Sequence, residues 1–349
     1  MGRAWVFVAP CALMCLLLSD QAAKRVLERG AETRFAREHE EHAASGFLPA
    51  LRALLVQIWM VRIDADLRAG RPHLALRHGR EMLQMAPGVA RTRIRLADLL
   101  AYRMAPLESE PDRQMAWIGE GLAILDEGLE GDPTCPEYHT ERGLLIWSRG
   151  EVCPEFAAAF RAAHGVTVME AGVEALVRGA EVSRGNWWAV RAASVGLQQR
   201  GDDYLERSVA EEGEFLPHAR DDYRRASGYL RELLQFSDFA QDALKVDLAL
   251  AEVCEQQVLF LTGRAAGRDA APLLAAVRKA RAVFQAGSAE LPVGTVRLAT
   301  VLADLLAPLA GDPAQREALR AEAVEILVEG LAREPDSRPL LEALSRLRR

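Results

Sequence analysis

The sequence predicts an all-α fold in which helical hairpins stack into a solenoid behind an N-terminal apolar helix. Half of the 349 residues are hydrophobic, and Ala, Leu, Arg and Glu, which all favour helices, dominate the composition. Alternating runs of Val, Ile, Thr or Tyr, which are typical of strands, are almost absent. Apolar segments with helical spacing are instead separated by short Gly and Pro turns. A stack of such hairpins can extend over the whole chain without a domain boundary.

The first element is an uncharged apolar run at residues 4–19. Its length lies between the core of a signal peptide, about 7–15 residues, and a spanning helix, about 17–25 residues. Asp20 or Gln21 stands where a cleavage site needs a small residue. We therefore expect residues 1–23 to be an uncleaved single-pass anchor in a bacterial inner membrane, with a removed signal peptide as the alternative. Lys24 and the arginines after it favour a cytoplasmic body, although a periplasmic body stays open.

Residues 24–46 are highly charged with mixed signs, which predicts a solvated helical spacer between the anchor and the body. His39 and His42 lie three positions apart among glutamates, as metal ligands can. Their spacing is not that of HExxH, and no third ligand is evident. The segment is therefore interpreted as solvated charge, and no metal is predicted.

The clearest hairpin runs from Trp59 to Pro87, with two apolar helices on either side of a turn at Gly70. Glycine lets the backbone reverse with a positive φ, and Ala75 lets the two helices approach closely. Pro87 lacks the N–H that would continue the second helix, which carries Leu83 near its end. A single hairpin cannot bury its apolar stripe, so neighbouring hairpins should stack on it.

Trp59, Gly70, Ala75, Leu83 and Pro87 follow the order of the tetratricopeptide-repeat pattern. The chain resembles that family (TPR), and its plan is similar to bacterial membrane-anchored TPR-like proteins. A second hairpin is predicted over 90–133 with an insertion at 104–113. A third begins at Pro136 and has a short return helix at 154–163. We therefore expect TPR-like repeats over 47–165.

Residues 166–349 predict degenerate helical repeats that end in a C-terminal capping helix. Trp187 and Trp188 begin one of these helices. Adjacent helix positions point about 100° apart, so we expect one indole inside and the other at a surface. Near the end of the chain the Ala, Leu and Pro spacing of the first hairpin returns at Ala323, Leu331 and Pro335.

The TPR resemblance implies a binding groove for a protein or peptide partner, lined by the first helices of successive repeats. Carried over by position, the groove residues are Met60, Asp64, Arg68, Ile94, Asp98, Tyr102, Leu144 and Trp147. Repeats that clamp a carboxylate use Lys, Asn and Arg, and Met60 and Asp64 depart from that pattern. The alternative is that Met60, Leu144 and Trp147 are core residues, while Asp64, Arg68 and Asp98 form a solvated face.

Several function classes find no support in the sequence. The net charge of −7 and a pI near 5.7 argue against nucleic acid as a partner. No phosphate loop, dinucleotide fingerprint, nucleophile elbow or Cys/His metal spacing is present, and the five cysteines form no CxxC pair. We therefore expect a non-catalytic, cofactor-free, membrane-tethered scaffold for protein–protein interaction. The alternatives are an exported module that binds a peptide or glycan, and an all-α enzyme with an acidic pocket.

Overall fold

The computed structural model describes residues 47–210, 213–236, 241–262, 270–286 and 292–348. These ranges are helical and contain no β-strand, so the predicted all-α class is confirmed for them. The helices, labelled in chain order, are α1 Phe47–Arg68, α2 Pro72–Met85, α3 Ala90–Asp98, α4 Pro111–Gly131, α5 Pro136–Val152, α6 Pro154–His164, α7 Val168–Val182, α8 Trp187–Ala210, α9 Leu216–Phe236, α10 Gln241–Thr262, α11 Ala271–Ala286, α12 Pro292–Thr300, α13 Pro313–Arg333 and α14 Arg338–Leu347.

By internal contacts the chain divides into two compact units, Met1–Ile124 and Leu125–Arg349. The predicted apolar helix at 4–19 and the charged spacer at 24–46 lie outside the described residues. Among the helices that the structure does describe, none has the length and apolarity needed to span a bilayer.

In the first unit, α1 and α2 form the predicted hairpin. Gly70 at the turn has a φ of +69°, in the left-handed region that favours glycine. Pro72 is the first residue of α2, where its missing N–H costs no helical hydrogen bond. Ala75 is fully buried, as close approach of the two helices requires. The apolar side chains that form this core are Val56, Ile63, Ala75, Met82, Ala86 and Leu99.

The second hairpin differs from the prediction at its turn. After Asp98 the helix α3 continues as a π-helical turn at Leu99–Met104 and a 3₁₀ turn at Ala105–Leu107. The predicted insertion at 104–113 is therefore wrong in extent, because α4 already begins at Pro111. Pro106 has no N–H to donate, so the chain leaves the helix here and re-enters it at the next proline.

The same construction returns near the end of the chain. The helix α12 also has nine residues and continues as a six-residue π turn, Val301–Leu306, and a 3₁₀ turn, Ala307–Leu309. Both 3₁₀ turns have the sequence Ala-Pro-Leu, and both are followed by a 21-residue helix that begins with proline. We refer to α3–α4 and α12–α13 as the first and second copies of this hairpin.

In the second unit, α5 packs against α7 and not mainly against the short α6. The predicted short return helix at 154–163 is present as α6 and contacts α5, but the main packing partner of α5 is α7. The cause is a glycine crossing. A Cβ at Gly143 would lie 2.6 Å from the Gly172 carbonyl oxygen, and one at Gly172 would lie 3.0 Å from that of Gly143. The backbones of α5 and α7 thus approach more closely than any side chain allows.

Two of the apolar clusters in the second unit lie among helices α7 to α14. One cluster is centred on α7, α8 and α9, and includes Val173, Leu176, Leu197 and Leu230. The other is formed by α10 to α14 and includes Val253, Val277, Leu302, Ile326 and Leu340.

The tryptophan pair at the start of α8 departs from the prediction. Trp187 and Trp188 are 37% and 43% exposed, and their rings meet edge to face at 6.0 Å. The expectation that one indole packs inside is wrong. The buried residues on that turn are Ala189 and Val190, which follow the pair.

Candidate partner-binding surface

The helices α1 and α3, the first helices of two successive hairpins, share a surface in the first unit. Asp64 on α1 forms an ion pair with the Arg95 guanidinium on α3. On α1 itself, Arg68 Nε donates a hydrogen bond of 3.2 Å to the Asp64 carbonyl oxygen. The predicted groove depends on this adjacency of first helices.

Asp98 lies one turn beyond Arg95 on α3 and is half-buried. Burial raises the pKa of the Asp98 carboxyl to about 6, while the positive charges of Arg95 and Arg103 act in the opposite direction. Within the described part of the chain, Asp98 makes no hydrogen bond or ion pair. Its carboxylate is therefore partly desolvated and has no donor of its own.

Tyr102 lies in the π-helical turn that follows Asp98 and is half-buried. Ile94 lies one turn before Asp98 and is also half-buried. Turns of π-helix often occur at functional sites. We call Asp64, Arg68, Arg95, Asp98 and Tyr102 the α1–α3 face. It includes both charge signs and one half-buried aromatic ring, so it is suited to hold a polar or charged peptide group.

The other three predicted groove residues contribute to packing. Met60 lies partly buried against the α1–α2 core. In the second unit, Leu144 and Trp147 lie partly buried against the α7–α9 cluster. The Trp147 indole N–H donates a hydrogen bond of 2.6 Å to Glu151 Oε1 on the same helix. The contact of these three residues with a partner stays a prediction.

The second unit contains a buried ion network that the sequence analysis missed. Arg200 on α8 donates two hydrogen bonds, of 2.7 and 2.8 Å, to the Asp222 carboxylate on α9. The two side chains are 8% and 5% exposed. A third hydrogen bond, of 2.9 Å, joins Arg200 to Glu174 on α7. The network therefore fastens three successive helices to one another.

A second arginine, on α12, forms a similar cluster with residues of α8 and α9. Arg297 donates hydrogen bonds of 2.6 and 2.8 Å to the Asp202 carboxylate, and Tyr223 Oη donates to the same carboxylate. Burial raises the pKa of the Tyr223 hydroxyl above its ordinary value. Burial also raises the pKa of Cys254 to about 12, so its sulfur is a protonated thiol at neutral pH. These groups are arranged for packing and pairing, and none is activated as a nucleophile.

Two arginines that the sequence analysis missed, Arg95 and Arg297, left a signal in the sequence. Arg95 and Arg297 both stand in an Arg-Leu-Ala triplet that precedes an Ala-Pro-Leu triplet. That recurrence marks corresponding positions in the two copies of the hairpin. The Arg200–Asp222 pair left no such signal, because charged residues on a helix are usually solvated.

Comparison with known proteins gave structural neighbours only. No family model matches the chain, and no curated protein matches it. Solved structures similar to it include PilF of Pseudomonas aeruginosa, with a TM-score of 0.43, 13% identity, and coverage of 84% of this chain and 99% of that one. The C-terminal part of a TPR repeat-containing protein from Cytophaga hutchinsonii gives a TM-score of 0.37 and 9% identity, and covers 81% of this chain and 98% of that one.

A third neighbour is the Cut9–Hcn1 heterotetramer of the APC/C, with a TM-score of 0.40, 12% identity, and coverage of 93% of this chain and 51% of that one. These neighbours are TPR-repeat proteins, the family that the sequence resembles. Because all three TM-scores are below 0.5, the fold is defined by the helical hairpins of this chain and not by these neighbours.

Proposed function

We propose that this chain is a helical-repeat scaffold that holds a protein or peptide partner on the α1–α3 face. It would be tethered to a bacterial inner membrane through residues 4–19 and would need neither a cofactor nor chemistry of its own. The observation that carries the proposal is the Asp64–Arg95 ion pair, which joins the first helices of successive hairpins into one surface. On that surface Asp98 keeps a carboxylate without a donor among the described residues.

The remaining chemistry of the described residues favours binding over catalysis. No group of three or more His, Cys, Asp or Glu among them could hold a metal ion. A cleft between α11 and α13 has a volume of about 40 Å³, which is enough for a few waters. It is bordered by the Arg281–Glu329 ion pair of 2.6 Å. These features do not form a catalytic site, whereas binding a partner on a repeat surface requires only complementary shape and charge.

The proposal is tested by capture of partners with the full-length chain, solubilised in detergent and tagged at its C-terminus. The double variant Asp98→Lys with Tyr102→Ala changes the α1–α3 face. We expect it to lose the proteins that the wild type captures, because a lysine replaces the acceptor and the aromatic contact area disappears.

A matched control, Asp112→Lys with Leu107→Ala, makes the same kind of change at exposed positions of the first unit that are not among the five residues of this face. The control should capture as the wild type does. Equal capture by both double variants and the wild type would refute the assignment of the face. A wild type that captures nothing would refute the scaffold itself.

The cytoplasmic placement of the body is part of the proposal. Cys135, Cys153 and Cys254 are buried free thiols, which fits a reducing compartment. A reporter fused to the C-terminus, active on only one side of the membrane, should report the cytoplasm. Activity outside the cytoplasm would instead favour the exported peptide- or glycan-binding module.

A further inference from the structure

The two copies of the repeated hairpin place corresponding residues on the same face. Aligned on their Ala-Pro-Leu turns, the pairs that correspond are Arg95 with Arg297, Asp98 with Thr300, and Tyr102 with Asp304. In both copies the arginine pairs with an aspartate from an earlier helix, Asp64 in the first and Asp202 in the second. The corresponding arginine therefore forms an ion pair with an aspartate in both copies.

In the second copy, the positions that correspond to Asp98 and Tyr102 already bind a guanidinium. Arg346 on α14 donates a hydrogen bond of 2.9 Å to Asp304 Oδ2 and one of 3.3 Å to Thr300 Oγ1. Both acceptors belong to α12 and its π turn. An arginine from outside the helix thus bridges the two positions that correspond to Asp98 and Tyr102.

In the first copy the acceptors are present, but the position that corresponds to Arg346 does not hold an arginine. By the same alignment, the residue that corresponds to Arg346 is Leu144, whose side chain has no hydrogen-bond donor. Asp98 is half-buried and has no hydrogen bond or ion pair among the described residues. A partly desolvated carboxylate without a donor gains more from an incoming cation than an exposed one does.

We propose that the α1–α3 face recognises a segment of its partner that presents an arginine, whose guanidinium binds the Asp98 carboxylate beside Tyr102. This inference rests on the proposed scaffold function and specifies the chemistry of the partner. Arginine fits better than lysine, because its planar fork can give a carboxylate two parallel hydrogen bonds and can also stack on an aromatic ring. In the second copy, Arg346 on α14 shows a guanidinium bound across the two corresponding positions, where Asp304 supplies the carboxylate and Thr300 a hydroxyl.

The test is selection of random dodecapeptides, displayed on phage, against the full-length chain in detergent. The wild type should select peptides enriched in arginine over the starting library. The isosteric Asp98→Asn variant keeps the shape of the face but loses the charge, so its selected pool should lose that enrichment. Asp304→Asn makes the same substitution at the aspartate of the second copy that already binds Arg346, and it should behave as the wild type.

The strongest selected peptide is then synthesised with citrulline in place of its arginine. Citrulline keeps the shape and removes the charge, and we expect the affinity for the wild type to fall about 10- to 100-fold. The same exchange should change the affinity for Asp98→Asn by less than about 3-fold.

The outcomes separate this inference from the scaffold proposal. A wild-type pool without arginine enrichment would overturn the inference while the selection of peptides still supports the scaffold. An enrichment that persists in Asp98→Asn would also overturn the inference, because another acceptor would be responsible. If no variant selects any peptide, the scaffold proposal fails and the inference fails with it.

Discussion

Replacing Gly143 by alanine should destabilise the second unit, because the glycine lies where the backbones of α5 and α7 touch. The new Cβ would be 2.6 Å from the Gly172 carbonyl oxygen and 2.9 Å from Leu176 Cγ. The first contact is with backbone, so no rotamer change relieves it. Overpacking a core costs about 1–3 kcal/mol, and the better helix propensity of alanine returns about 1 kcal/mol. The tight backbone contact places the net loss at about 1–2 kcal/mol.

The assay is thermal unfolding of the full-length chain followed by tryptophan fluorescence, since Trp147 lies at this crossing. A Cβ at Gly172 would be only 2.9 Å from the Trp147 Cβ, so the indole should report separation of the two helices. For a unit of this size, 1 kcal/mol shifts Tm by about 2–4 °C. We therefore expect the Gly143→Ala transition of the second unit to fall by about 2–8 °C.

The matched control is Gly228→Ala on α9. Gly228 is also inside a helix, but a Cβ there would meet no atom within 4 Å. Only the propensity gain should remain, so this variant should equal or exceed the stability of the wild type by about 0.5–1 kcal/mol. A Gly143→Ala chain as stable as Gly228→Ala would refute the close crossing of α5 and α7.

Three further predictions test the charges and thiols. Burial raises the pKa of Asp98 to about 6, so the native state holds this proton more tightly than the unfolded state and stability falls as pH rises from about 4 to 6. Asp98→Asn should therefore stabilise the chain by roughly 1–3 kcal/mol in urea unfolding at pH 8, and the gain should vanish near pH 4; a constant gain would contradict the cause. Arg200→Met should cost about 3–5 kcal/mol, because it leaves the Asp222 carboxylate buried without its cation, and Arg200→Met with Asp222→Leu should recover much of that loss in the same assay. Burial raises the pKa of Cys135 and Cys254 to about 12, so peptide mapping after maleimide labelling should find both modified only in denaturant, and rapid native labelling would show that they are accessible.

The first hairpin could be predicted because its turn and ends depend on local chemistry. Gly70 predicts the turn because of its freedom to adopt a positive φ, and Pro87 predicts the end of the second helix because it lacks an N–H. The periodicity of the apolar residues predicts the two helices. The all-helical class followed from composition for the same reason. Local signals of this kind do not depend on which helices meet in space.

The pairing of α5 with α7 could not be predicted in the same way. Glycine inside a helix normally indicates a position of lower helix stability. Only the neighbouring helix shows that Gly143 and Gly172 allow the two backbones to approach closely. The return helix at 154–163 was the nearest apolar segment and therefore the natural expectation. Both exposed tryptophans show the same limit, since periodicity alone did not reveal that Ala189 and Val190 would take the buried side.

The candidate site was predicted in part. Position within the repeat pointed to Asp64 and Asp98, but Arg95 was missed because its pairing with Asp64 spans 31 positions and depends on how α1 and α3 lie together. The π turn that carries Tyr102 was also missed, because no simple sequence rule predicts one. Recurrence of the Arg-Leu-Ala and Ala-Pro-Leu triplets was the one sequence signal that could have identified this face.

Hydrogen exchange of the full-length chain, with and without a captured partner or selected peptide, tests the binding surface most directly. If the α1–α3 face holds the partner, protection should increase in the peptides that cover residues 60–68 and 94–102. Protection confined to the start of α8, around Trp187 and Trp188, with no change on α1 and α3, would contradict the account.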